Sequence, residues 1–327
     1  MVLMALVLSA CASHRFDLQS RMDPLGKNVN ARDVASIENE SEKTQQGSIE
    51  TQNFLNVMSF NMWREDNWDR FASMAAAIHD GDAQAPDIET RMLLDVVLLQ
   101  EVLAQENHTD QSSAHFLGRL LGMHTAFRKR DRGDEGVAVL SRYPIEGIHL
   151  KKLFYSQEDP YQRLAIAIEV THPQWGKTVA ISVHLASERE NAAIRQKQLE
   201  DLKDFIATFR EADTLIVGGD FNAFPRDLEL LNFSEFWRAS KLRPFKQAEL
   251  FSSPTWANIG LGKDYDSKDA ERLDYIFFAS NREFDFLGED LLFRNQVPSS
   301  PRVLKSKRQN KIWVSDHLPV LHRFELK

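Results

Sequence analysis

A single cysteine, Cys11, occurs among the 327 residues. An intrachain disulfide is therefore impossible, and no set of cysteines is available to bind a metal. The chain also has no HExxH segment, the pattern that places two histidine ligands on one face of a helix. A structural or catalytic zinc site is consequently not expected.

Basic clusters are also absent from the sequence. The net charge is −8, the sequence pI is about 5.7, and no segment is rich in Lys and Arg. The composition therefore gives no large electrostatic footprint for duplex nucleic acid, although an acidic protein can still carry a locally basic site. Hydrophobic residues make up 43% of the chain, which is enough to form a large core.

No apolar run is long enough to cross a bilayer, which takes about 20 residues in a helix. The apolar residues 1–10 have the proportions of a signal peptide. Leu8-Ser9-Ala10-Cys11 resembles the lipobox of bacterial lipoproteins. The resemblance implies that residues 1–11 form a lipoprotein-type signal with a lipidated Cys11, which would anchor the protein in a bacterial cell envelope. Ser13 would suit the outer membrane of a Gram-negative cell. No Lys or Arg precedes the apolar run, so an apolar N terminus with an incidental cysteine is the alternative.

Composition divides the rest of the chain into two parts. Residues 12–52 are polar and rich in Ser, Asn, Gln and Glu, which predicts a flexible tether. Residues 53–327 contain apolar runs and amphipathic segments, with no internal repeat and no Gly- or Pro-rich break. We therefore predict one α/β domain over 53–327. Long polar connections at 80–90 and 238–270 are expected to shape substrate access.

Continuous apolar runs of strand length predict β-strands that are covered on both faces. These predicted strands lie near residues 54–60, 95–100, 136–140, 163–170, 179–183, 214–217, 273–278 and 318–324. Helical spacing of apolar residues predicts helices over 68–78, 116–121 and 199–209.

Polar residues follow directly on four of the apolar runs: Asn61, Glu101, His184 and Asp220. Ligands of α/β sheets gather outside the carboxyl ends of strands, so these side chains can converge although they are distant in sequence. An acid–imidazole pair, Asp316-His317, stands near the C terminus. Aspartate offers hard oxygen to a cation, and histidine can move a proton near neutral pH. The four strand-end residues are therefore candidate partners of this pair.

Six motifs occur in the order seen in the endonuclease/exonuclease/phosphatase family, the superfamily of DNase I-like metal-dependent phosphoesterases. They are FNMW (60–63), LLQEV (98–102), SVHLAS (182–187), GGDFNAFP (218–225), RLDYIFF (272–278) and SDHLPV (315–320), and GVAVLSRYPI (136–145) is also similar. The resemblance covers residues 54–324. It implies an α/β fold, a four-layer sandwich of two facing mixed β-sheets flanked by helices. It also implies a metal-assisted attack of water on a phosphoester, with Mg²⁺ as the cofactor and Mn²⁺ able to substitute.

The same resemblance implies a metal site. Glu101 matches the family's metal ligand, Asn61 matches the amide beside that metal, and Asp316 matches an acidic residue linked to metal binding. Carboxylate and amide oxygens are hard donors that suit Mg²⁺. Taken alone, Glu101 is also compatible with a solvated acid and Asn61 with a turn residue.

The catalytic residues are likewise implied by the resemblance. Asp220 and Asn222 match the pair that orients the attacking water and holds phosphate oxygen. His317 matches the family's essential histidine, and Asp274 matches the carboxylate that would fix its tautomer and stabilise its protonated form. Two roles stay open for His317, namely taking a proton from water and stabilising the transition state.

A second histidine and an arginine allow more than one interpretation. His184 matches a histidine of the nuclease and sphingomyelinase branches, where it could protonate the leaving oxygen or bind phosphate; a core histidine that caps a strand is the alternative. Arg163 lies where family members carry basic residues, and a structural salt bridge explains it equally well. The other histidines have no motif support and are expected on the surface or in the core: His79, His108, His115, His124, His149, His172 and His322.

These residues favour a Mg²⁺-dependent phosphodiesterase that acts at the envelope on a phospholipid headgroup or a similar ester. The alternative is an extracytoplasmic DNA or RNA nuclease of the same fold. A phosphomonoesterase fits less well, because RLDYIFF replaces the Cys-Asp-Arg motif of inositol polyphosphate phosphatases. An inactive binding module also fits less well, because the motif residues are intact. The expected partners are a phosphoester substrate, either lipid or nucleic acid, and the membrane; no protein partner is implied and a monomer is expected.

Overall fold

The computed structural model describes the greater part of the predicted domain and none of the N-terminal segments. The described residues are 53–63, 94–104, 112–159, 161–238, 243–244, 272–291, 297–298, 311–312, 315, 317 and 319–327. The predicted signal (1–11), the tether (12–52), the helix at 68–78, the connection at 80–90 and Asp316 lie outside these residues. So does most of the connection at 238–270.

Two six-stranded sheets form the framework. The strands are Phe54–Asn61 (β1), Val96–Leu103 (β2), His124–Lys129 (β3), Glu135–Ser141 (β4), Gly147–Lys152 (β5), Leu164–His172 (β6), Gly176–His184 (β7), Thr214–Asp220 (β8), Arg243–Pro244 (β9), Asp274–Ser280 (β10), Phe284–Leu291 (β11), Val297–Pro298 (β12), Lys311–Ile312 (β13) and Val320–Leu326 (β14). The first sheet has the order β11-β14-β1-β2-β4-β3, and the second has the order β5-β6-β7-β8-β10-β9. Strands β12 and β13 form a separate pair.

Each six-stranded sheet is mixed, because each contains a single parallel pair near its middle. Strands β1 and β2 run parallel in the first sheet, and β7 and β8 run parallel in the second. The other pairings described in these two sheets are antiparallel. The carboxyl ends of the two parallel pairs carry the predicted strand-end residues, which is where α/β proteins bind ligands.

The helices are Ser113–Leu121 (α1), Ala192–Ala207 (α2) and Leu228–Arg238 (α3), with a short 3-10 helix at Arg189–Asn191. Apolar side chains between the two sheets form the central core, which includes Val57, Leu98, Ile166 and Ile216. The outer face of the first sheet packs against α1, and the outer face of the second packs against α2 and α3. The predicted four-layer α/β sandwich is therefore confirmed.

Several elements differ from the sequence prediction. Strand β5 is not predicted, because its residues alternate between half-buried and exposed positions and form no apolar run. Helix α2 begins seven residues before the predicted 199–209, because its first turns bury the polar residues Arg195 and Gln198. Within the described residues, no helix is both long enough and apolar enough to cross a membrane.

Candidate active site

Asp220 lies at the centre of the polar cluster because β8 runs between β7 and β10. The strand register places Asp220 beside His184 on one side and beside Asp274 on the other. Gly219 allows this close approach, since a Cβ atom there would lie 1.9 Å from the carbonyl oxygen of Val183. The backbone of Gly219 also has φ +151°, a conformation that favours glycine.

His317 and Asp274 form a buried hydrogen-bonded pair. Nδ1 of His317 lies 2.7 Å from Oδ2 of Asp274, and Nε2 lies 3.8 Å from Oδ2 of Asp220. The Ser315 hydroxyl accepts a hydrogen bond from the His317 N–H and donates one to the carbonyl of Asn61, at 3.1 and 2.7 Å. Ser315 therefore ties the segment that carries His317 to the end of β1.

Asn61 joins the two carboxylates on opposite sheets. Its Nδ2 donates to Oε1 of Glu101 at 3.2 Å and to Oδ2 of Asp220 at 3.0 Å. Its Oδ1 accepts the N–H of Trp63 at 3.0 Å. Asn61 thus presents its amide hydrogens, rather than its oxygen, to Glu101 and Asp220.

Burial gives Asp220 an unusual protonation behaviour. It raises the pKa of Asp220 to about 7, and the neighbouring carboxylate of Asp274 acts in the same direction. The N–H of Asn222 donates to Oδ1 of Asp220 at 2.9 Å, and Asn222 Nδ2 donates to the carbonyl of Leu185 at 3.1 Å. Asn222 therefore supports Asp220 and also fixes the chain that follows His184.

Arg163 sets the environment of His184. Its guanidinium contacts Asp159 through Nε at 3.0 Å and His184 Nε2 through Nη1 at 3.1 Å. Because a guanidinium only donates, Nε2 is the acceptor and the ring proton of neutral His184 belongs on Nδ1. Burial lowers the pKa of His184 well below its usual value, and the charges of Arg163 and Arg130 act in the same direction. Arg163 is therefore both a salt-bridge residue and a neighbour of the candidate catalytic histidine.

The donor set fits a divalent cation. Asp220, Asp274 and His317 each offer a ligand atom, and these atoms lie within 4.8 Å of one another. Glu101 lies close by and is joined to Asp220 through Asn61. The raised pKa of Asp220 reflects buried negative charge that a bound cation would stabilise. This donor set shares no residue with the predicted ligand set of Glu101, Asn61 and Asp316, and Asp316 lies outside the described residues.

Asp220 and His317 of this cluster line an open cleft of about 500 Å³. Its lining includes predicted residues, among them Glu101, Arg163, His184, Asp220, Asn222 and His317. It also includes Arg130, Tyr161 and Arg189, which lie outside the motifs, and Trp63 and Phe224, which lie in motifs but have no predicted role. The guanidinium of Arg130 lies 3.9 Å from the ring centre of Tyr161, and that of Arg189 lies 4.7 Å from the ring centre of Phe224. Each pair joins two segments that are distant in sequence, so no local pattern predicts the contact.

Backbone strain is concentrated in this cleft. Among the described residues, four that are not glycine have a positive φ: Trp63, Glu101, Glu188 and Asn222. All four line the cleft. Such conformations cost roughly 1–3 kcal/mol each and persist where the surrounding structure holds them, which is typical of functional sites.

Solved structures resemble the fold over most of the chain. An endonuclease/exonuclease/phosphatase family protein from Leptotrichia buccalis has a TM-score of 0.58 and 18% identity, and the match covers 83% of this chain and 100% of that one. The catalytic domain of human nocturnin has a TM-score of 0.57 and 19% identity, covering 84% of this chain and 96% of that one. TDP2 from D. rerio, complexed with a single-stranded DNA product, has a TM-score of 0.58 and 17% identity, covering 83% of this chain and 99% of that one.

Sequence comparison adds a bacterial relative and a family assignment. The chain is 31% identical over 140 residues to the uncharacterized protein YbhP of Escherichia coli (strain K12). This match covers 39% of the chain and 53% of YbhP, so it spans about half the length of that relative. The family defined as "Endonuclease/Exonuclease/phosphatase family" matches residues 58–317. The chain therefore belongs to the endonuclease/exonuclease/phosphatase family.

Proposed function

We propose that the protein is a metal-dependent phosphodiesterase that uses water as the nucleophile. One observation carries the proposal. The hydrogen-bonded pair of Asp274 and His317 faces the buried carboxylate of Asp220 inside a cleft lined by strand ends. An imidazole supported by a carboxylate can move a proton, and acid–base assistance of this kind contributes about 10²–10⁴-fold to a rate.

The side chains of the cleft have separate roles in the proposed hydrolysis. Asp274 holds the Nδ1 proton of His317 and leaves Nε2 directed toward Asp220. Asp220 can accept a hydrogen bond from an attacking water, and the N–H of Asn222 holds its other oxygen in place. His184 acts as a neutral residue whose Nε2 is engaged by Arg163, so it is better suited to orienting groups in the cleft than to donating a proton from that nitrogen.

Glu101 is proposed as the principal cation ligand, with Asp220 beside it and Asp316 as a further predicted ligand. Mg²⁺ is the proposed ion and Mn²⁺ a substitute, because the donors are hard oxygens. When bound, the cation would neutralise charge on the phosphate and on the transition state.

The size of the cleft supports a small substrate. A volume of about 500 Å³ is typical of small-molecule sites. We propose a phosphodiester of headgroup size, such as that of a phospholipid, at the bacterial cell envelope. The lipobox-like Leu8-Ser9-Ala10-Cys11 supports that location and a lipid anchor, and we propose a monomer.

Single-stranded nucleic acid is the second candidate substrate. Trp63 and Tyr161 are each 39% exposed and line the cleft, and exposed rings of this kind can stack on unpaired bases. An extracytoplasmic nuclease of the same fold would use the same catalytic residues. It would differ from the phospholipid phosphodiesterase in the part of the substrate that Trp63 and Tyr161 contact, which would be an unpaired base.

Hydrolysis of bis(p-nitrophenyl) phosphate by the full chain tests the proposed chemistry. We expect turnover with Mg²⁺ or Mn²⁺, its loss in EDTA, and its loss in His317→Ala. His124→Ala is the matched control, because His124 is exposed on β3 and lies outside the cleft lining. Full activity in EDTA would contradict the metal requirement, and full activity in His317→Ala would contradict the catalytic assignment.

A substrate panel then separates the two candidates. It comprises sphingomyelin, glycerophospholipids, single-stranded DNA and RNA, and p-nitrophenyl phosphate as a monoester. Preferred turnover of phospholipids supports the envelope phosphodiesterase. Preferred turnover of nucleic acid supports the nuclease, and preferred turnover of the monoester would contradict both.

A further inference from the structure

Residues 185–189 run from the end of β7 to the first residue of the 3-10 helix and form one wall of the cleft. The segment follows His184 directly, and three of its residues line the cleft: Ser187, Glu188 and Arg189. We call this segment the rim loop. Glu188 has φ +66°, a strained backbone conformation. Its side chain is exposed, so contacts made by other residues of the loop must hold this conformation.

A buried arginine on helix α2 holds the rim loop. Arg195 is 2% exposed, and its Nη1 donates to the carbonyls of Ala186 and Glu188 at 3.2 and 2.6 Å. Its Nη2 lies 3.5 Å from the carbonyl of Arg189, and its Nε donates to Glu229 on α3 at 3.1 Å. Glu229 thus neutralises the buried charge, while the remaining nitrogens of the guanidinium bind the loop.

Gln198 provides a second anchor from the same helix face. It is completely buried, and its Oε1 accepts the N–H of Ala186 at 2.9 Å. Its Nε2 donates to the carbonyl of Phe154 at 3.2 Å. The three-residue spacing of Arg195 and Gln198 places both side chains on one side of the helix. The rim loop is therefore bound at its carbonyls by one residue and at an N–H by the other.

The rim loop is in turn connected to the catalytic cluster. The hydroxyl of Ser187 accepts a hydrogen bond from Nη2 of Arg163 at 3.2 Å, and Nη1 of the same arginine contacts His184. The guanidinium of Arg189 lies over the ring of Phe224 at the cleft. A shift of the loop would therefore move Ser187 and Arg189 and loosen the guanidinium of Arg163 beside His184.

We infer that Arg195 and Gln198 are positioning residues of the active site, which act from the helix layer through the rim loop on substrate binding. The inference rests on the proposed function, since it assigns the loop a role in holding the phosphoester. Neither residue lines the cleft, so their effect on a substrate has to pass through the loop. A purely structural role would instead change stability and leave KM unaltered, because KM does not depend on the fraction of folded enzyme.

Arg195→Lys is the test variant, and Arg142→Lys is its matched control. Lysine keeps the charge but cannot bind three carbonyls and Glu229 together. Arg142 also donates to a backbone carbonyl, that of Leu94, and pairs with Asp95, but it follows β4 and lies beside the start of β2, away from Glu101. With bis(p-nitrophenyl) phosphate we expect KM to rise about tenfold in Arg195→Lys, with kcat less affected, and to stay unchanged in Arg142→Lys. Equal KM values in the wild type and Arg195→Lys would overturn the inference.

Chemical rescue and deuterium uptake can still test the role of Arg195 and Gln198 if a variant folds poorly or the wild type is inactive. Methylguanidinium should restore the KM of Arg195→Ala, and it should leave the KM of Arg142→Ala, which we expect to equal that of the wild type, unchanged. Deuterium uptake by the peptide spanning residues 185–191 should rise in Arg195→Lys and in Gln198→Ala, and not in Arg142→Lys. Unchanged uptake would overturn the inference whatever the activity. Raised uptake in a protein without phosphodiesterase activity would support the positioning of the loop and contradict the proposed function instead.

Discussion

Oδ2 of Asp274 lies 2.7 Å from Nδ1 of His317, and both side chains are buried. The carboxylate stands at the first position of β10, beside Asp220 in the sheet register, whereas His317 precedes β14 in the other sheet. The pair therefore bridges the two sheets. Its geometry requires the sandwich to be closed, and the pair can assist proton movement only in the folded protein.

Asp274→Asn should lower activity while preserving the fold. The asparagine has nearly the same size, but it no longer offers a carboxylate to fix the tautomer of His317 or to stabilise its charged form. We expect kcat to fall by about 10²–10⁴-fold, measured with bis(p-nitrophenyl) phosphate and Mg²⁺. Asp285→Asn is the control, because Asp285 is exposed on β11. Activity within a few-fold of the wild type in Asp274→Asn would remove Asp274 from the catalytic group.

Gly219→Ala should destabilise the fold strongly. A Cβ atom at Gly219 would lie 1.9 Å from the Val183 carbonyl oxygen, so β7 and β8 would have to separate. We expect a loss of at least about 3 kcal/mol in the free energy of unfolding, measured by urea denaturation. Gly288→Ala is a matched control, since Gly288 also has a positive φ, +145°, but its Cβ would meet nothing within 4 Å. There the loss should be only about 1 kcal/mol; equal losses would show that backbone conformation alone decides the effect.

The sequence predicts the strand-end residues well because their signal is local. Asn61, Glu101, His184 and Asp220 each end or follow an apolar run, and the structure brings all four to one cluster. The central strands follow from the same runs, whereas the two-sheet architecture follows from the resemblance of the motifs to the family. The edge strand β5 does not, because a half-exposed strand contains too few consecutive apolar residues.

The walls of the cleft are not predictable in the same way. Arg130 and Tyr161 lie on different loops, and only the closed sandwich brings the guanidinium to 3.9 Å from the ring centre. Arg195 is harder still to identify, because an arginine on a helix normally suggests a solvated face. Its burial depends on three carbonyls of another segment and on Glu229. Contacts of this kind belong to tertiary structure and leave no periodic pattern.

Addition of Mg²⁺ should stabilise the protein through Glu101. A cation bound only by the folded state adds about 2.7 kcal/mol at a hundredfold excess over its Kd. We expect the Tm to rise by about 5–10 °C and EDTA to reverse the rise. Glu101→Gln should reduce the shift, whereas Glu325→Gln, at the far end of β14, should retain it. A full shift in Glu101→Gln would place the cation at the group formed by Asp220, Asp274 and His317 instead.

His172 should make the fold sensitive to mild acid. His172 is 3% exposed, and its ring centre lies 4.5 Å from that of Tyr143, while Nδ1 accepts the N–H groups of Gln174 and Trp175. Burial lowers the pKa of His172 to about 4, with the charge of Arg142 acting in the same direction. Between this value and the ordinary 6.5, the unfolded chain binds a proton that the folded protein does not. The stabilising contribution of neutral His172 is therefore present above pH 6.5 and is lost as the pH falls toward 4, by about 3 kcal/mol in total.

His172→Asn isolates this contribution. The asparagine Oδ1 can accept the N–H groups of the following turn, as in Asx-turns, and it does not titrate. The difference in unfolding free energy between wild type and variant, measured by urea denaturation from pH 7 to pH 4, should shift in favour of the variant as the pH falls. The comparison is needed because burial also raises the pKa of Asp95 to about 6, which favours the folded state over part of the same range. His124→Asn, on the exposed surface of β3, should run parallel to the wild type. A difference that is constant with pH would show that His172 takes up its proton equally well in the folded and unfolded chains.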